Sequence, residues 1–346
     1  MQLACAHGTP PTSGRIRVAA EDFSVEEVLG FEPDGAGGHV LLLVEKCGAN
    51  TGWVAAQLAR AAGVQVRDVG YSGQKDRHAV TRQSYSMPWP VAASLDACLA
   101  FAGEGYRVLS AARHARKLRP GSHRGNRFAI RIRDADGDAG AIDARLRVIA
   151  DAGVPNYFGP QRFGRDAGNL TRARTWAEGG QAPRDRLQRG FALSAARSEL
   201  FNRVLEARVR RGDWNRLLPG EAVMLDGRRS FFAAPVIDPA LDDRCRAMDV
   251  HPSGPMWGRG ESPTTGQVRE VEDSVMVREP GLARLLELER LDQERRSLRL
   301  PVRSLRWTHE AGAMRIEFEL PRGSFATAVL HELLCDAWSQ DAGGED

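Results

Sequence analysis

Strict alternation of apolar and charged residues near both ends of the chain is the sequence feature that most constrains its fold. Asn126–Arg133 places phenylalanine or isoleucine at every second position with mostly arginine between them, and Met314–Leu320 repeats the pattern with charges of both signs. A period of two puts the apolar side chains on one face of a strand. His39–Lys46, the nearly continuous apolar run HVLLLVEK, is typical of a buried strand. The patterns therefore predict strands at both ends of the chain.

Helical patterns separate and follow these predicted strands. Thr51 is expected to cap a helix that ends at Gly63, and another helix is expected to be closed by Gly153 and Pro155. From residue 155 to about 300 the patterning is mostly helical, for example in SAARSELFNRVLEAR and GLARLLELERLDQERRSLRL, and a last helix follows the turn PRGS. The inward-facing residues predicted for the helices outside this region are Val54, Leu58 and Ala61; Ile142, Leu146 and Ile149; and Phe325, Val329, Leu333 and Ala337.

The order of these patterns predicts a discontinuous domain. A length of 346 residues suits two compact domains better than one. Because a strand and a helix remain at the C-terminus, we expect residues 155–303 to be inserted into a domain formed by residues 1–154 and 304–346.

Composition and motif spacing exclude several classes of protein. An apolar share of 42% and a charged share of 27% are those of an ordinary folded chain. Without a signal peptide or a run of about 18 apolar residues, neither secretion nor a membrane partner is expected. The five cysteines are scattered without a CxxC pair, which favours the reducing cytoplasm, and the eight histidines have no metal-binding spacing, so no metal is expected.

Two polar segments have the start of a ligand motif without its essential residues. DADGDAGAIDAR begins like a calcium loop, but Ala139 replaces the turn glycine and Arg145 replaces the bidentate glutamate. GRGESPTTG lacks the lysine of a phosphate loop, and no Gly-x-Gly-x-x-Gly follows a strand. We therefore expect a polar turn in the first segment and no nucleotide cofactor.

One segment concentrates positive charge in a chain whose net charge is only +3. Arg113–Arg133 contains eight lysines or arginines, two histidines and no acidic residue. A solvated charged face is the alternative interpretation, but such faces usually mix signs. The composition favours a surface that binds a polyanion.

The segment GYSGQKDRHAVTRQ places Asp76 between Lys75 and Arg77, on a predicted loop between a helix and a strand. Opposite charges nearby favour the ionised carboxylate, which could then act as a nucleophile or a base. Of the 48 lysines and arginines only three are lysines, and one of these is Lys75. An exposed, ion-paired loop is the alternative that local sequence leaves open.

Six sequence blocks occur in a fixed order between about residue 20 and residue 335. They are EDFSVEE, GYSGQKDRHAVTRQ, RKLRPGSHRGNRF, GVPNYFGPQRFG, LSAARSELFN and LPRGSFATAVLHELL. Together they resemble the TruD family of transfer RNA pseudouridine synthases, which isomerise uridine 13 in the D arm. The departures are small: Ser72 stands where alanine is frequent, and Ser24 and Glu26 occupy variable positions.

This resemblance implies the fold, the reaction and the catalytic residue. The fold would be the mixed α+β pseudouridine synthase fold, with a mixed or antiparallel sheet, interrupted at 155–303 by a mostly helical α/β insertion called the TRUD domain. Asp76 would be the catalytic aspartate. The reaction breaks the N1–C1′ bond, turns the uracil and joins C5 to C1′, so no cofactor is expected. Whether Asp76 attacks C1′, attacks the base or assists loss of the 2′ proton is open, and we expect action at the sugar.

The resemblance also suggests residues that bind the uridine. Phe128 resembles the family's stacking aromatic, although its strand face equally fits a core residue. Asn126 beside it is expected to hydrogen-bond the uracil edge. The other substrate-binding candidates are Phe325 as an opposite wall and Glu27, Lys75 and Arg77 as groups that position the aspartate.

The expected partner is transfer RNA, whose target nucleotide must be flipped out of its stack. Residues expected to contact the RNA backbone are Arg113, Arg116, Lys117, Arg119, Arg124 and Arg162. A monomer in the cytoplasm is expected. The rival functions are an RNA-binding protein without catalysis and an RNA methyltransferase, for which no glycine-rich donor loop is found.

Overall fold

A computed structural model describes residues 3–337, which form two compact units. The sheet unit comprises residues 14–136 and 303–323, and the helical unit comprises residues 3–13, 137–302 and 324–337. The division meets the predicted insertion near residue 303, but it groups the predicted helices at 139–152 and 326–333 with the helical unit. The ends of the predicted domain bounds, residues 1–2 and 338–346, lie outside the described residues.

Strands occur in both units. They are β1 (Ser13–Arg15), β2 (Phe23–Val28), β3 (His39–Lys46), β4 (Gly70–Tyr71), β5 (Val80–Pro88), β6 (Ala102–Gly103), β7 (Tyr106–His114), β8 (Gly125–Asp136), β9 (Val154–Pro155), β10 (Glu221–Leu225), β11 (Phe231–Ala234), β12 (Val250–His251), β13 (Ser253–Met256), β14 (Glu294–Ser297), β15 (Arg299–Leu300), β16 (Arg303–Glu310) and β17 (Ala313–Pro321).

The helices fall mainly in the helical unit. The α-helices are α1 (Thr51–Ala62), α2 (Asp96–Leu99), α3 (Ala139–Ala152), α4 (Gly168–Ala177), α5 (Arg186–Arg211), α6 (Pro239–Arg246), α7 (Gly266–Arg278), α8 (Pro280–Leu288) and α9 (Ala326–Leu333). Short 3-10 turns lie at Ala20–Asp22, Val66–Asp68, Pro160–Phe163 and Arg165–Ala167. Within residues 3–337 no helix is both long enough and apolar enough to cross a membrane.

The sheet unit is built on one large mixed sheet. Its strand order is β16-β17-β8-β2-β5-β3-β7-β6, with β1 beside β8 and β4 beside β5. The β2–β5 pair is parallel, whereas β8 is antiparallel to both β2 and β17. The alternation that predicted β8 and β17 is confirmed, because Phe128, Ile130 and Ile132 are buried on one face. Strands from both ends of the chain therefore share one sheet.

Helix α1 packs on this sheet through an apolar face. Val54 and Leu58 are buried against β3 residues such as Val40, as the pattern predicted. Ala61 is exposed, contrary to the prediction, and Ala59 is buried instead, because the buried stripe drifts around the helix toward its end. Gly63 ends the helix in the left-handed conformation, as expected.

Two close backbone approaches in the sheet unit require glycine. A Cβ atom on Gly70 would lie 2.4 Å from the carbonyl oxygen of Leu118, and one on Gly125 would lie 2.4 Å from that of Leu320. Both glycines belong to the sequence blocks described above. They let the segment before β8 lie directly against β4, and let β8 lie directly against β17.

The helical unit contains more strand than the sequence predicts. The segment GLARLLELERLDQERRSLRL is helical only to Leu288, and its second half forms β14 and β15. The prediction of a continuous helix is wrong here because its charged residues are buried and paired. Arg295, for example, donates to Glu272 Oε1 at 2.7 Å and to the carbonyl of Ser253 at 2.6 Å. Helix α9 also ends at Leu333, so the buried Ala337 lies beyond it.

The turn between β8 and α3 is polar, as predicted for DADGDAGAIDAR. The side chain of Asp138 caps α3 by accepting a hydrogen bond from the backbone NH of Ala141 at 2.7 Å. The predicted inward residues Ile142, Leu146 and Ile149 are buried. Gly153 then ends the helix.

Candidate active site

Asp76 lies on the loop between β4 and β5, and its carboxylate is held by two groups. Oδ1 accepts a hydrogen bond from the backbone NH of His78 at 2.9 Å, and Oδ2 lies 3.0 Å from Nη2 of Arg17. The Asp76 side chain is 25% exposed and that of Arg17 is 13% exposed. The carboxylate is therefore fixed in direction and still open to solvent.

The flanking cations that the sequence suggested as ion-pair partners of Asp76 have other contacts. Lys75 Nζ pairs with Glu27 Oε2 at 3.0 Å, and both side chains are buried. Arg77 is exposed, and its Nε donates to the carbonyl of Gly48 at 3.1 Å. The prediction that Lys75 and Arg77 pair with the carboxylate is wrong, because each side chain is drawn to a nearer acceptor.

Lys46, a residue that sequence reasoning did not assign to the site, supports the loop from below. Its Nζ donates to the backbone carbonyls of Asp76 at 2.9 Å and of Lys75 at 3.4 Å. Lys46 is 1% exposed. Burial lowers the pKa of its ammonium from 10.5 to about 8, against the opposing effect of the Asp76 charge. A buried cation thus fixes the backbone that carries the carboxylate.

Thr51 fixes the same loop from the start of α1. The cap residue of this helix is Asn50, and not Thr51 as predicted. The Thr51 hydroxyl accepts from the backbone NH of Lys75 at 3.0 Å and donates to Gln83 Oε1 at 3.2 Å. The amide of Gln83 in turn donates to the carbonyl of Gly73. The loop is therefore tied to α1 and β5 at both of its ends.

The segment before β8 packs against the Asp76 loop. The backbone NH of Gly121 donates to the carbonyl of Ser72 at 2.6 Å, and the hydroxyls of Ser72 and Ser122 are 2.9 Å apart. His123, missed by sequence reasoning, is 9% exposed and lies beside Gly73. Burial and then the positive charge of Lys75 lower the pKa of its imidazole. This segment is part of the same site.

Asn126 lies opposite Glu27 in the antiparallel register of β8 and β2. Directly opposed residues of two strands have neighbouring side chains. Within residues 3–337 the buried Oδ1 of Asn126 has no hydrogen-bond partner. An unsatisfied buried acceptor is costly, so this oxygen is suited to accept a hydrogen bond from a ligand.

Phe128 is packed among other aromatic side chains. It is 6% exposed, with ring centroids 5.4 Å from Phe318 and 6.2 Å from Phe23. The guanidinium of Arg17 lies 4.3 Å from the Phe23 ring centroid, which connects this aromatic row to Asp76. The core alternative describes this packing, and stacking on a base stays a prediction.

In the helical unit the block GVPNYFGPQRFG is framed by the block LSAARSELFN. The side-chain amide of Asn202 accepts from the NH of Phe158 and donates to its carbonyl, both at 2.9 Å. Arg162 donates to the Ser194 hydroxyl at 3.0 Å. The Arg162 guanidinium lies 5.7 Å from the ring of Phe325, so these two predicted site residues are neighbours.

The predicted cationic segment divides into engaged and open residues. Arg113 donates to four backbone carbonyls, those of Trp89, Pro90, Val91 and Ala93, which makes it a structural clamp. Arg127, Arg131 and Arg133 form ion pairs with Glu319, Glu310 and Asp22.

The open cations lie between Lys117 and its neighbours. Arg116 and Arg119 are exposed and form no ion pair within residues 3–337, whereas Lys117 donates to the carbonyl of Arg67. Arg124 is 3.8 Å from Glu319 and remains exposed. Open positive charge is thus concentrated in residues 116–124, which adjoin the Asp76 loop.

No cluster of three or more histidines, cysteines, aspartates or glutamates in residues 3–337 is arranged to hold a metal ion. The chemistry available at the site is therefore described by a carboxylate, its arginine partner, a buried lysine and an unsatisfied amide oxygen.

Known proteins resemble this chain over nearly its whole length. The family model described as tRNA pseudouridine synthase D (TruD) matches residues 3–172 and 169–333. A tRNA pseudouridine synthase D from Nitrosococcus oceani is 46% identical over 336 residues, which cover 96% of this chain and 94% of the relative. One from Pseudomonas fluorescens is 43% identical over 330 residues, which cover 95% and 93%.

A solved structure shares the fold. The crystal structure from Methanosarcina mazei described as tRNA pseudouridine synthase D (TruD) has a TM-score of 0.75 and 19% identity, and the match covers 96% of this chain and 95% of that one. The mixed α+β fold predicted from the sequence blocks is confirmed. The chain belongs to the TruD family of tRNA pseudouridine synthases, which are isomerases.

Proposed function

We propose that this protein converts uridine 13 in the D arm of transfer RNA to pseudouridine, with Asp76 as the catalytic carboxylate. One observation carries the proposal. Asp76 presents a partly exposed carboxylate on a loop held by Lys46, Thr51 and the buried Glu27–Lys75 pair. A carboxylate held in one orientation by its surroundings is what covalent or electrostatic catalysis at a sugar needs.

The proposed chemistry acts at C1′ of the ribose. Cleavage of the N1–C1′ bond develops oxocarbenium character at the sugar, which Asp76 stabilises by charge or traps as an ester. The uracil then turns, C5 bonds to C1′, N1 gains a proton and C5 loses one. Substrate and product are isomers, so the proposal requires no cofactor.

Asn126 is proposed to hold the uracil while it turns. Its buried Oδ1 lacks a partner within residues 3–337, and an imide NH of uracil is a donor of the right kind. Phe128 shares a strand face with Asn126 and remains the stacking candidate, although its 6% exposure requires neighbouring side chains to move. Phe325 is kept as a candidate wall.

Positive charge beside the site is proposed to bind the RNA backbone. The target nucleotide must leave its stack at a cost of about a few kcal/mol, which contacts to phosphate groups offset. Arg116, Lys117, Arg119 and Arg124 lie on the segment that packs against the Asp76 loop. Arg113 is left out of this set because four carbonyls already occupy its donors.

The organisation of the enzyme is also part of the proposal. Residues 1–154 and 304–346 form the catalytic domain, and residues 155–303 form the inserted domain of the family. The protein acts as a cytoplasmic monomer on transfer RNA. The alternative without catalysis, an RNA-binding protein, uses the same cationic segment and is separated by turnover.

The test compares wild type with Asp76→Asn on transfer RNA that carries uridine 13. Wild type should form pseudouridine, followed by tritium release from C5 or by mass after derivatisation, and Asp76→Asn should reduce turnover by at least about a thousandfold because the nucleophilic charge is lost. RNA affinity should stay within about twofold.

Asp151→Asn is the matched control, since Asp151 is an exposed aspartate near the end of α3. It should retain full turnover, and transfer RNA with cytidine at position 13 should give no product. Substantial turnover by Asp76→Asn would remove Asp76 from the reaction, and no turnover by wild type would leave the RNA-binding alternative.

A further inference from the structure

Two arginine guanidinium groups of the helical unit approach one phenylalanine ring. Cζ of Arg162 lies 5.0 Å from the ring centroid of Phe158, and Cζ of Arg296 lies 4.2 Å from it. Arg162 belongs to the turn Pro160–Phe163, whereas Arg296 belongs to β14. Two positive charges are thus brought together by elements that are distant in sequence.

Neutral side chains hold both guanidinium groups in place. Arg296 donates to Asn156 Oδ1 at 2.6 Å, and the amide of Asn156 donates to the carbonyl of Ser297 at 2.8 Å. Arg162 donates to the hydroxyl of Ser194 at 3.0 Å. These partners fix the positions of the arginines without contributing negative charge.

The charge of this pair contrasts with that of other sheltered arginines in the same unit. Arg208, for instance, pairs with Asp213 at 2.6 Å and with Glu221 at 3.1 Å. Within residues 3–337 no carboxylate forms an ion pair with Arg162. Burial lowers the pKa of Arg162, and burial and the charge of Arg162 lower that of Arg296 to about 9. An anion between the two would relieve both effects.

We propose that Arg162 and Arg296 bind one phosphate group of the RNA backbone against the ring of Phe158. The inference rests on the proposed function, which supplies the RNA. Planar guanidinium groups match pairs of phosphate oxygens, and two of them can share one phosphate. The ring centroid of Phe325 lies 6.3 Å from that of Phe158, so an apolar wall adjoins the phosphate where a ribose or base continues the chain. The sequence suggested only Arg162 for this role.

The test couples a neutral backbone linkage to the loss of Arg162. Synthetic D-arm RNAs each carry one methylphosphonate linkage, and their dissociation constants are measured for wild type and Arg162→Gln. At one position the neutral linkage should weaken wild-type binding by about tenfold, as loss of a charged hydrogen bond does. The same linkage should weaken binding to Arg162→Gln by less than twofold, because the partner is already absent.

Further variants separate a phosphate site from a loss of structure. Arg296→Gln should show the same coupling, and if it fails to fold, Arg162→Gln with an unchanged melting temperature decides alone. Arg172→Gln is the matched control, since this exposed arginine of α4 donates only to Asn169 Oδ1. It should bind every RNA as wild type does.

Two outcomes would overturn the inference. One is that each methylphosphonate weakens wild type and Arg162→Gln equally. The other is that inorganic phosphate raises the melting temperature of wild type but not of Arg162→Gln while no linkage shows coupling, which would indicate a site for free phosphate. Pseudouridine formation by wild type is measured separately, and its absence would contradict the proposed function instead.

Discussion

At the scale of single residues, the contacts of Asp76 show what neighbouring sequence does and does not specify. The carboxylate itself was predictable from its block, but its ion-pair partner was not. Arg17 reaches it from before β2, with a positive φ of 57° that local sequence gives no reason to expect. Lys75, the adjacent cation, is instead committed to Glu27. Pairing of charges follows the folded backbone, so adjacency in sequence was a poor guide here.

The Arg17 ion pair should be required for turnover and not for RNA binding. Arg17→Gln removes the charge that lies 3.0 Å from Asp76 Oδ2. Loss of a charge-assisted hydrogen bond costs about 1.5–3 kcal/mol, so kcat should fall by about 10- to 100-fold while the dissociation constant for transfer RNA changes little. Single-turnover kinetics and filter binding measure the two effects separately.

Arg15→Gln serves as the control, because Arg15 is an exposed arginine paired with Asp134 on the surface. It should turn over RNA at the wild-type rate. Equal kcat for wild type and Arg17→Gln would show that the ion pair has no part in catalysis.

At the scale of elements, the strands were predictable and the second half of one helical pattern was not. HVLLLVEK and the alternation in β8 and β17 gave the strands, since period two has few competing interpretations. In the segment after Leu288, charged residues looked like the exposed face of a helix. Burial of Arg295 against Glu272 reverses that interpretation, and such pairing depends on α7, which a local pattern does not include.

The loop that carries Asp76 should show the titration of Lys46 in its stability. In the folded protein the pKa of Lys46 is about 8, against 10.5 as its ordinary value. Between these two pH values the unfolded chain binds the proton and the folded chain does not, so the free energy of unfolding rises with pH through this residue. Urea denaturation should show that wild type gains stability relative to Lys46→Met from pH 8 to pH 10.

Lys117→Met is the matched control, since Lys117 is exposed and its ammonium group donates to a single backbone carbonyl. Its stability difference from wild type should not change over this pH range. A constant difference between wild type and Lys46→Met would mean that Lys46 keeps its ordinary pKa when buried.

At the scale of the whole molecule, attraction to RNA should come from a small part of the charge. The net charge is +3, and many arginines of the sheet are neutralised by ion pairs such as Arg131–Glu310 at 2.7 Å. The open cations lie in residues 116–124. Composition therefore located the cationic segment, but only the structure separates its open residues from those that the sheet consumes.

Replacing Arg116 and Arg119 together by glutamine should weaken transfer RNA binding and flatten its salt dependence. Each phosphate contact contributes about 0.7–0.9 to the slope of log K against log salt concentration, so the slope should fall by about 1 to 2. Affinities measured between 50 and 200 mM salt, as in that relation, give the slope. Arg131→Gln, whose partner is Glu310, should leave it unchanged. An unchanged slope in the double variant would place residues 116–119 outside the interface.

The pairing of β8 with β17 has a consequence for synthesis on the ribosome. These strands are joined in register from Gly125–Pro321 to Arg133–Ala313, although about half the chain lies between them. While the polypeptide is being translated, β8 can join β2 early, but its other edge has no native strand until residues 313–321 have emerged. An unpaired edge is a template for pairing with another chain. The nascent protein therefore spends most of its elongation with an adhesive edge exposed, and it is at this stage that it depends most on protection by chaperones.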